Sequence, residues 1–218
     1  MKHLLALAFF TFSYLLNSQT TQIVRRVVPL QEQLTFSLDG GLTSSVNGQS
    51  RVIFQFDLPE NTVEWYYIFS SQSNPEAMEA AAGNINLAAQ LTRVFDPTGV
   101  SATATNSLLA PSGSEQCNVF LFPSYAEATN FYNKTDQSLL DDPFVCYTSC
   151  SIEAATQGKV KVTTITEGTC YMGIQNPSFN SSINVVIEVA AIVEEEVLNL
   201  DEWSIETKES LYANYVEI

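Results

Sequence analysis

Histidine is nearly absent from this sequence: of 218 residues, only His3 is a histidine. Catalysis by a Ser-His-Asp triad or a Cys-His pair needs an imidazole that accepts and returns a proton. Zinc, copper and non-haem iron sites also draw on histidine as a ligand. Beyond the first few residues the chain therefore excludes these mechanisms, and we predict that the protein is not an enzyme.

Positive charge is also scarce, with nine Lys and Arg against 24 Asp and Glu, for a net charge of −15. Such a surface repels phosphate backbones and anionic lipid, so we expect no nucleic-acid partner. Long apolar runs are missing too. The longest, residues 4–16, is shorter than the roughly twenty residues of a transmembrane helix, so we expect no membrane span in the mature chain.

The N-terminal residues instead follow the pattern of a secretory signal. Lys2 and His3 form a basic start, the apolar run follows, and Asn17-Ser18-Gln19 supplies a cleavage region. We predict a signal peptide over residues 1–19, and hence a secreted protein that is extracellular or periplasmic. Residues 20–196 are then predicted to form one β domain, and the acidic segment 197–218 a C-terminal helix or tail that either docks on this domain or binds a partner.

Four cysteines lie in the mature part, and an even number in an exported chain predicts disulfide bonds. A zinc site is disfavoured because the close C-x2-C pairs typical of cysteine sites are missing. Three pairings satisfy the count, and the sequence does not decide among them. We favour Cys117–Cys170, joining two strands, and Cys146–Cys150, closing a tight loop.

Alternation of apolar and polar residues with a period of two predicts eight or nine strands. Residues 52–58 and 63–69 alternate on either side of Pro59 and are interpreted as a hairpin. The strand predicted at residues 183–193 is apolar on both faces, as expected of a central strand. The fold class is mainly β, an antiparallel two-sheet β-sandwich of jelly-roll type. Further strands are predicted at residues 34–38, 117–122, 144–148, 158–166 and 169–175.

Residues 75–95 change character, because alanine dominates and Asn74-Pro75 supplies a cap and a first helical residue. This predicts a helical insertion over the sheet, interrupted near Gly83-Asn84. Residues 101–116 are interpreted as a surface loop, and residues 124–143 as a loop with one helical turn.

Aromatic residues are the candidates for ligand contact, because their faces provide contact area at low entropic cost. Four of them are singled out for stacking on a sugar or a partner chain: Tyr66, Tyr125, Phe131 and Tyr132. The competing interpretation places them in the core, where most aromatic side chains of a sandwich lie.

The carboxylates are considered for two other kinds of site, a glycosidase active site and a calcium site. Asp57, Glu60 and Glu64 cluster near a predicted turn, but no spacing identifies the carboxyl pair of a glycosidase. Asp136, Asp141 and Asp142 are the candidate ligands of a calcium ion, the one cofactor considered. They lack the D-x-D-x-D-G spacing, which favours a solvated acidic loop. Asn133 and Asn180 begin N-x-[ST] sequons.

The segment GTCYMGIQNPSFNSSINVVIEV resembles the closing strands of bacterial secreted β-sandwich domains of the pre-peptidase C-terminal type. With CNVFLFPSYAEATNF, the likeness covers residues 115–193. Asn118-Val119-Phe120-Leu121 stands where that group carries an acidic DxDLY-type motif, so no site residue is carried over. The resemblance implies an accessory domain that binds or stabilises.

Together these patterns predict a secreted, non-catalytic binding or surface-associated module with a carbohydrate or protein partner. One alternative is a carboxylate-dependent carbohydrate hydrolase. Another is a structural or adhesive component that joins an extracellular assembly through its C-terminal helix.

Overall fold

The computed structural model describes residues 21–44, 48–94, 107–133 and 144–198. The chain divides into two compact units. One comprises residues 25–194 and contains every site discussed below. The other comprises residues 1–24 and 195–218, of which residues 21–24 and 195–198 are described. The predicted signal peptide and most of the predicted C-terminal helix lie outside the described residues, so the boundaries near residues 20 and 197 stay predictions.

Eight strands, four α-helices and one 3₁₀ turn are found in these ranges. The strands are β1 (Thr21–Leu38), β2 (Arg51–Asp57), β3 (Thr62–Gln72), β4 (Cys117–Phe122), β5 (Ile152–Ala155), β6 (Gln157–Val162), β7 (Thr169–Gln175) and β8 (Ile183–Leu198). The helices are α1 (Gly41–Ser44), α2 (Pro75–Asn84), α3 (Leu87–Val94) and α4 (Tyr125–Asn133), with the 3₁₀ turn at Thr148–Cys150.

The strands form two four-stranded antiparallel sheets, in the orders β1-β8-β3-β6 (sheet A) and β2-β7-β4-β5 (sheet B). Successive strands mostly cross from one sheet to the other, as in an eight-stranded jelly roll. The predicted antiparallel β-sandwich is therefore confirmed. The strand predicted to be central, β8, lies between β1 and β3 and is buried on both faces.

The main core fills the space between the sheets. Strand β3 contributes Trp65, Tyr67 and Phe69, all fully buried, and its neighbour β8 adds alternate aliphatic side chains to the same face of sheet A. The polar atoms of the buried rings are satisfied: the Trp65 indole donates to the Ile165 carbonyl at 2.8 Å, and the Tyr67 hydroxyl donates to the Cys150 carbonyl at 2.7 Å. Aromatic bulk and satisfied polar groups together stabilise this interior.

Helices α2 and α3 cover the outer face of sheet A. Helix α2 begins where Asn74 Oδ1 accepts the Ala77 amide at 2.8 Å, which satisfies a backbone donor of the first turn. Leu87 and Leu91 of α3 pack with Ile68 and Val186 in a second apolar cluster. The predicted helical insertion is present, and its interruption falls at residues 85–86, just after the predicted position.

The predicted hairpin of β2 with β3 is wrong, because the two strands belong to different sheets. β2 pairs with β7, and β3 pairs with β6 and β8. Their apolar faces meet across the core instead: the rings of Phe56 and Trp65 pack edge to face with centroids 5.3 Å apart. Alternation identifies a strand with one buried face, but it leaves open whether the next strand lies beside it or opposite it.

The strand predicted at residues 144–148 is also wrong. Phe144 turns into an aromatic cluster on the outer face of sheet B, Val145 is exposed, and the chain then enters the 3₁₀ turn before β5. Residues 124–143 were expected to hold one helical turn. The described part of that range forms α4, a helix of nine residues.

Both predicted disulfides are wrong: all four cysteines are present as thiols. In the antiparallel register of β4 with β7, Asn118 lies opposite Gln175 and Phe122 opposite Tyr171. Cys170 is therefore level with residue 123, about 20 Å along β4 from Cys117, whereas a disulfide requires Cα atoms within about 7 Å.

The Cys146–Cys150 pair fails for a different reason. Cys150 is buried in the core between the sheets, where its sulfur lies 3.6 Å from Ser149 Oγ and 3.9 Å from Thr164 Oγ1. Cys146 packs in the aromatic cluster on the outer face of sheet B. The two side chains thus point into different apolar clusters.

Burial raises the pKa of the Cys117 and Cys170 thiols to about 12, so both are protonated at neutral pH. Within the described ranges, none of the helices combines the length and apolar character needed to cross a bilayer.

Candidate binding surface

Helix α4 lies across the outer face of sheet B, and its position depends on a local cap. The Ser124 hydroxyl accepts the Glu127 amide at 3.3 Å, and the Ser124 carbonyl accepts the Ala128 amide at 3.1 Å. The Glu127 carboxylate in turn accepts a hydrogen bond from the Val145 backbone amide at 2.8 Å, which connects α4 to the chain that leads into the 3₁₀ turn. Ala128 and Phe131 form the buried side of the helix.

An aromatic cluster fixes α4 against the sheet. Phe131 of the helix lies within 5.1–5.5 Å, centroid to centroid, of the rings of Phe120, Phe122 and Phe144. A glycine makes room for it: a Cβ built on Gly173 would lie 2.6 Å from the Phe131 ring and 2.7 Å from the Phe122 ring. The close approach of helix to sheet therefore requires glycine at this position.

Two tyrosines of α4 lie on one flank of the helix. Tyr125 and Tyr132 are seven residues apart, nearly two full turns, so they project in nearly the same direction. Tyr125 is 60% exposed and Tyr132 is 41% exposed. The Tyr125 ring packs against Tyr171 of β7 with centroids 5.9 Å apart. The flank that carries both rings therefore borders strands β7 and β2.

Polar side chains border these rings. Gln55 of β2 is the register partner of Tyr171 and is exposed. At the other end, the Gln49 amide donates to the Tyr132 hydroxyl at 3.2 Å. We call the surface formed by Gln49, Gln55, Tyr125, Tyr132 and Tyr171 the tyrosine face. It is an exposed surface that combines aromatic rings with amide groups.

Two charged side chains of β2, Asp57 and Arg51, border the tyrosine face. Asp57 is exposed, and its Oδ1 accepts the Thr169 hydroxyl at 2.6 Å. Arg51 is half-buried, donates to the Phe131 carbonyl at 2.5 Å and lies 4.9 Å over the Phe131 ring. Burial lowers the pKa of Arg51. The Arg51 guanidinium therefore lies at the C-terminal end of α4, where a positive charge interacts favourably with the helix dipole. Of these two β2 side chains, Asp57 is the exposed one.

Two hydrogen-bonded loops hold Gln49 in place. The Asp39 carboxylate accepts hydrogen bonds from the Gln49 backbone amide at 3.2 Å and from the Ser182 hydroxyl at 3.2 Å. The buried Asn176 side chain donates to the Leu38 carbonyl at 3.1 Å and the Ser181 carbonyl at 2.7 Å. Because these contacts hold the backbone at Asp39 and Gln49, the Tyr132 end of the tyrosine face is preorganised.

The structure separates the four predicted contact residues into two pairs. Tyr125 and Tyr132 are exposed and lie on the tyrosine face. Tyr66 and Phe131 are fully buried, which corrects their assignment as ligand contacts. Tyr66 does point away from the inner core, but α2 and α3 cover it, and its hydroxyl donates to Glu64 at 2.6 Å. Phe131 lies beneath α4.

Other predicted positions have simpler outcomes. Asp136, Asp141 and Asp142 lie outside the described residues, so the calcium site stays a prediction. No cluster of three or more His, Cys, Asp or Glu suited to a metal ion is found in the described ranges. Asn133 and Asn180 are both exposed.

Sequence reasoning missed three members of the face: Gln49, Gln55 and Tyr171. Gln55 and Tyr171 are polar-phase positions of strands that were predicted correctly, so their outward direction was available from alternation. Their proximity to α4 was not. For α4 itself a signal existed, since Ser124-x-x-Glu127 has the spacing of a capping box.

No protein-family model matches the sequence, and no curated protein matches it. A solved structure of the decameric BFDV capsid protein aligns with 78% of this chain and 98% of its own, at 11% identity and a TM-score of 0.37. Similarity at this level carries no argument, so the jelly-roll assignment rests on the strand order. The resemblance to pre-peptidase C-terminal domains stays a prediction.

Proposed function

We propose that this protein is a non-catalytic binding module that holds a carbohydrate on the tyrosine face. The observation that carries the proposal is the pair of exposed tyrosine rings on α4, one of them packed on the half-buried Tyr171 ring of β7, with the amide side chains of Gln49 and Gln55 beside them. Sugars present C–H faces that pack on aromatic rings, and hydroxyls that bond with amide groups. An open aromatic surface with polar neighbours suits a chain that lies across it.

The composition of the face favours carbohydrate over a protein partner. A stable protein interface buries about 800 Å² on each partner around an apolar centre. On the tyrosine face the exposed rings of Tyr125 and Tyr132 are accompanied by the exposed polar side chains of Gln49, Gln55 and the neighbouring Asp57. This mixed composition supports ligands that are themselves part apolar and part hydroxylated.

The arrangement of carboxylates argues for binding rather than hydrolysis. Glycosidases place two carboxyl groups across the scissile bond. At the described edge of the tyrosine face the exposed carboxylate is Asp57, whereas Glu127 projects from the other flank of α4 and bonds the Val145 amide. A second carboxylate, Asp39, lies at the Gln49 end of the face, which is eight residues of chain or roughly 25 Å from Asp57 and therefore farther than the separation of a glycosidase pair.

Affinity electrophoresis tests the proposal. The protein is run in native gels cast with xylan, mixed-linkage β-glucan, galactomannan or alginate. We expect retardation in at least one gel and its loss in the double variant Tyr125→Ala/Tyr132→Ala. Truncation of a binding-surface aromatic costs about 1–2 kcal/mol, or roughly tenfold in Kd per ring.

Tyr147→Ala is the matched control. Tyr147 is 38% exposed, similar to Tyr132, but its amide donates to the Leu121 carbonyl on the β5 side of β4, away from β2. This variant should be retarded like the natural protein. Unretarded migration in all four gels, or equal retardation of the double tyrosine variant, would reject the proposal.

A further inference from the structure

The geometry points to a particular ligand class, an inference that rests on the proposed function. We infer that the tyrosine face binds an uncharged oligosaccharide chain through two linked sugar rings, one on Tyr125 and one on Tyr132. The chain would run along α4 and over the outer face of β2. The spacing of the rings, the direction of the helix and the charge at the edge each support this assignment.

The first support is length. Tyr125 and Tyr132 are separated by seven helical residues, which is about 10 Å along the helix axis. That distance exceeds one sugar ring and matches two pyranoses joined by a glycosidic bond. A single sugar can therefore contact one of the two exposed rings, and a chain is needed to contact both.

The second support is direction. Tyr125 packs on Tyr171, which lies opposite Gln55 of β2. The Tyr132 hydroxyl accepts a hydrogen bond from the side chain of Gln49, which precedes β2. Helix α4 therefore runs alongside β2 in the opposite sense, with a tyrosine and a glutamine at each end. The position on Tyr132 has the Gln49 amide at its hydroxyl, and the position on Tyr125 has Tyr171 beneath it with Gln55 beside Tyr171 on the next strand.

The third support is charge. The chain carries −15 overall, and the Asp57 carboxylate is exposed at one border of the face, while the Asp39 carboxylate is bonded to Gln49 at the other. The nearby guanidinium of Arg51 is half-buried and directed at α4. A chain of uronic acids or sulfated sugars would meet repulsion without a compensating cation in the described part of the face. An uncharged chain meets none.

Isothermal titration calorimetry with defined sugars tests this inference. The probes are xylohexaose, cellohexaose and mannohexaose, the corresponding monosaccharides, and hexagalacturonate as the charged chain. We expect at least one neutral hexaose to bind, about 100-fold more tightly than its monosaccharide, because the second ring binds with the chain already held. Hexagalacturonate should give no binding heat at low salt.

Single variants separate the two sugar positions. Tyr125→Ala and Tyr132→Ala should each weaken hexaose binding about tenfold, and Tyr147→Ala should leave it unchanged. Asp57→Asn, which removes the edge charge, should strengthen binding of hexagalacturonate relative to binding of the neutral hexaose.

The outcomes distinguish this inference from the proposed function. Equal affinity for monosaccharide and hexaose, with loss in one tyrosine variant only, would overturn the two-ring chain while leaving carbohydrate binding intact. Preference for hexagalacturonate would overturn the neutral class and again leave the function standing. Absence of binding to every sugar, together with unretarded migration in all polysaccharide gels, would overturn both.

Discussion

At the scale of single residues, Gly173 determines how closely α4 approaches the sheet. Its missing side chain lets the rings of Phe122 and Phe131 lie directly over β7. Tyr125 and Tyr132 are positioned by that same contact, because both belong to the helix that Phe131 holds. A residue without a side chain thereby sets the location of the proposed binding surface.

Gly173→Ala should therefore lower the free energy of unfolding and weaken carbohydrate binding. The added methyl would overlap two aromatic rings, and overpacking of this kind costs about 1–3 kcal/mol. Gly83→Ala is the control. Gly83 lies in α2 with no atom near its Cβ position, so alanine there should stabilise by about 0.5–1 kcal/mol. Urea denaturation measures both, and a neutral Gly173→Ala would contradict the packing argument.

The sequence predicts two of the four contact residues correctly, and Tyr66 shows why the others fail. Alternation correctly places Tyr66 on the sheet face opposite to Trp65 and Tyr67, but it does not show that α2 and α3 cover that outer face. Tyr125 and Tyr132 were recognised as aromatic candidates before their helix was known. Exposure of a ring depends on which distant element packs over it, and that information is absent from local pattern.

At the scale of elements, local signals predicted the existence of strands and helices better than their neighbours. The cap at Asn74 and the alternation in β3 and β8 each correspond to an observed element. The β2–β3 hairpin failed because sheet partners are chosen by long-range packing. The disulfides failed for the same reason, since a count of cysteines carries no register.

Thiol labelling tests the placement of cysteines on their elements. In the folded protein, Cys117 and Cys170 should react with a disulfide reagent at pH 8 at least about 100-fold more slowly than Cys146, because burial and a raised pKa suppress the thiolate. In urea without reductant, mass spectrometry should find four alkylated cysteines. Two or fewer would show that at least one disulfide exists and would contradict the four thiols described.

At the scale of the whole molecule, the larger unit, residues 25–194, is a stack of layers, with α2 and α3 over sheet A and α4 over sheet B. Between the sheets, the main core joins residues from both, including the thiols of Cys117 and Cys170 and the ring of Tyr67. Burial raises the pKa of both thiols to about 12 and also raises that of Tyr67. Between pH 9.0 and about 12, the folded protein therefore keeps the protons of these two thiols, whereas the unfolded chain releases them.

That difference predicts a loss of stability in alkali. An unfolded thiol titrates near its ordinary pKa of 9.0, so above that pH the unfolded chain binds fewer protons than the folded one, and the free energy of unfolding falls. The slope is about 1.4 kcal/mol per pH unit for each thiol. The contribution is complete below pH 9.0 and is lost as pH rises toward the folded value of about 12. Urea unfolding at pH 8, 9.5 and 10.5 measures this decline in the free energy of unfolding.

The double variant Cys117→Ala/Cys170→Ala should be less stable at pH 8, because the substitutions leave cavities, but its free energy of unfolding should fall less steeply with pH. An equal decline in both proteins would mean that these thiols titrate normally and are not enclosed between the sheets.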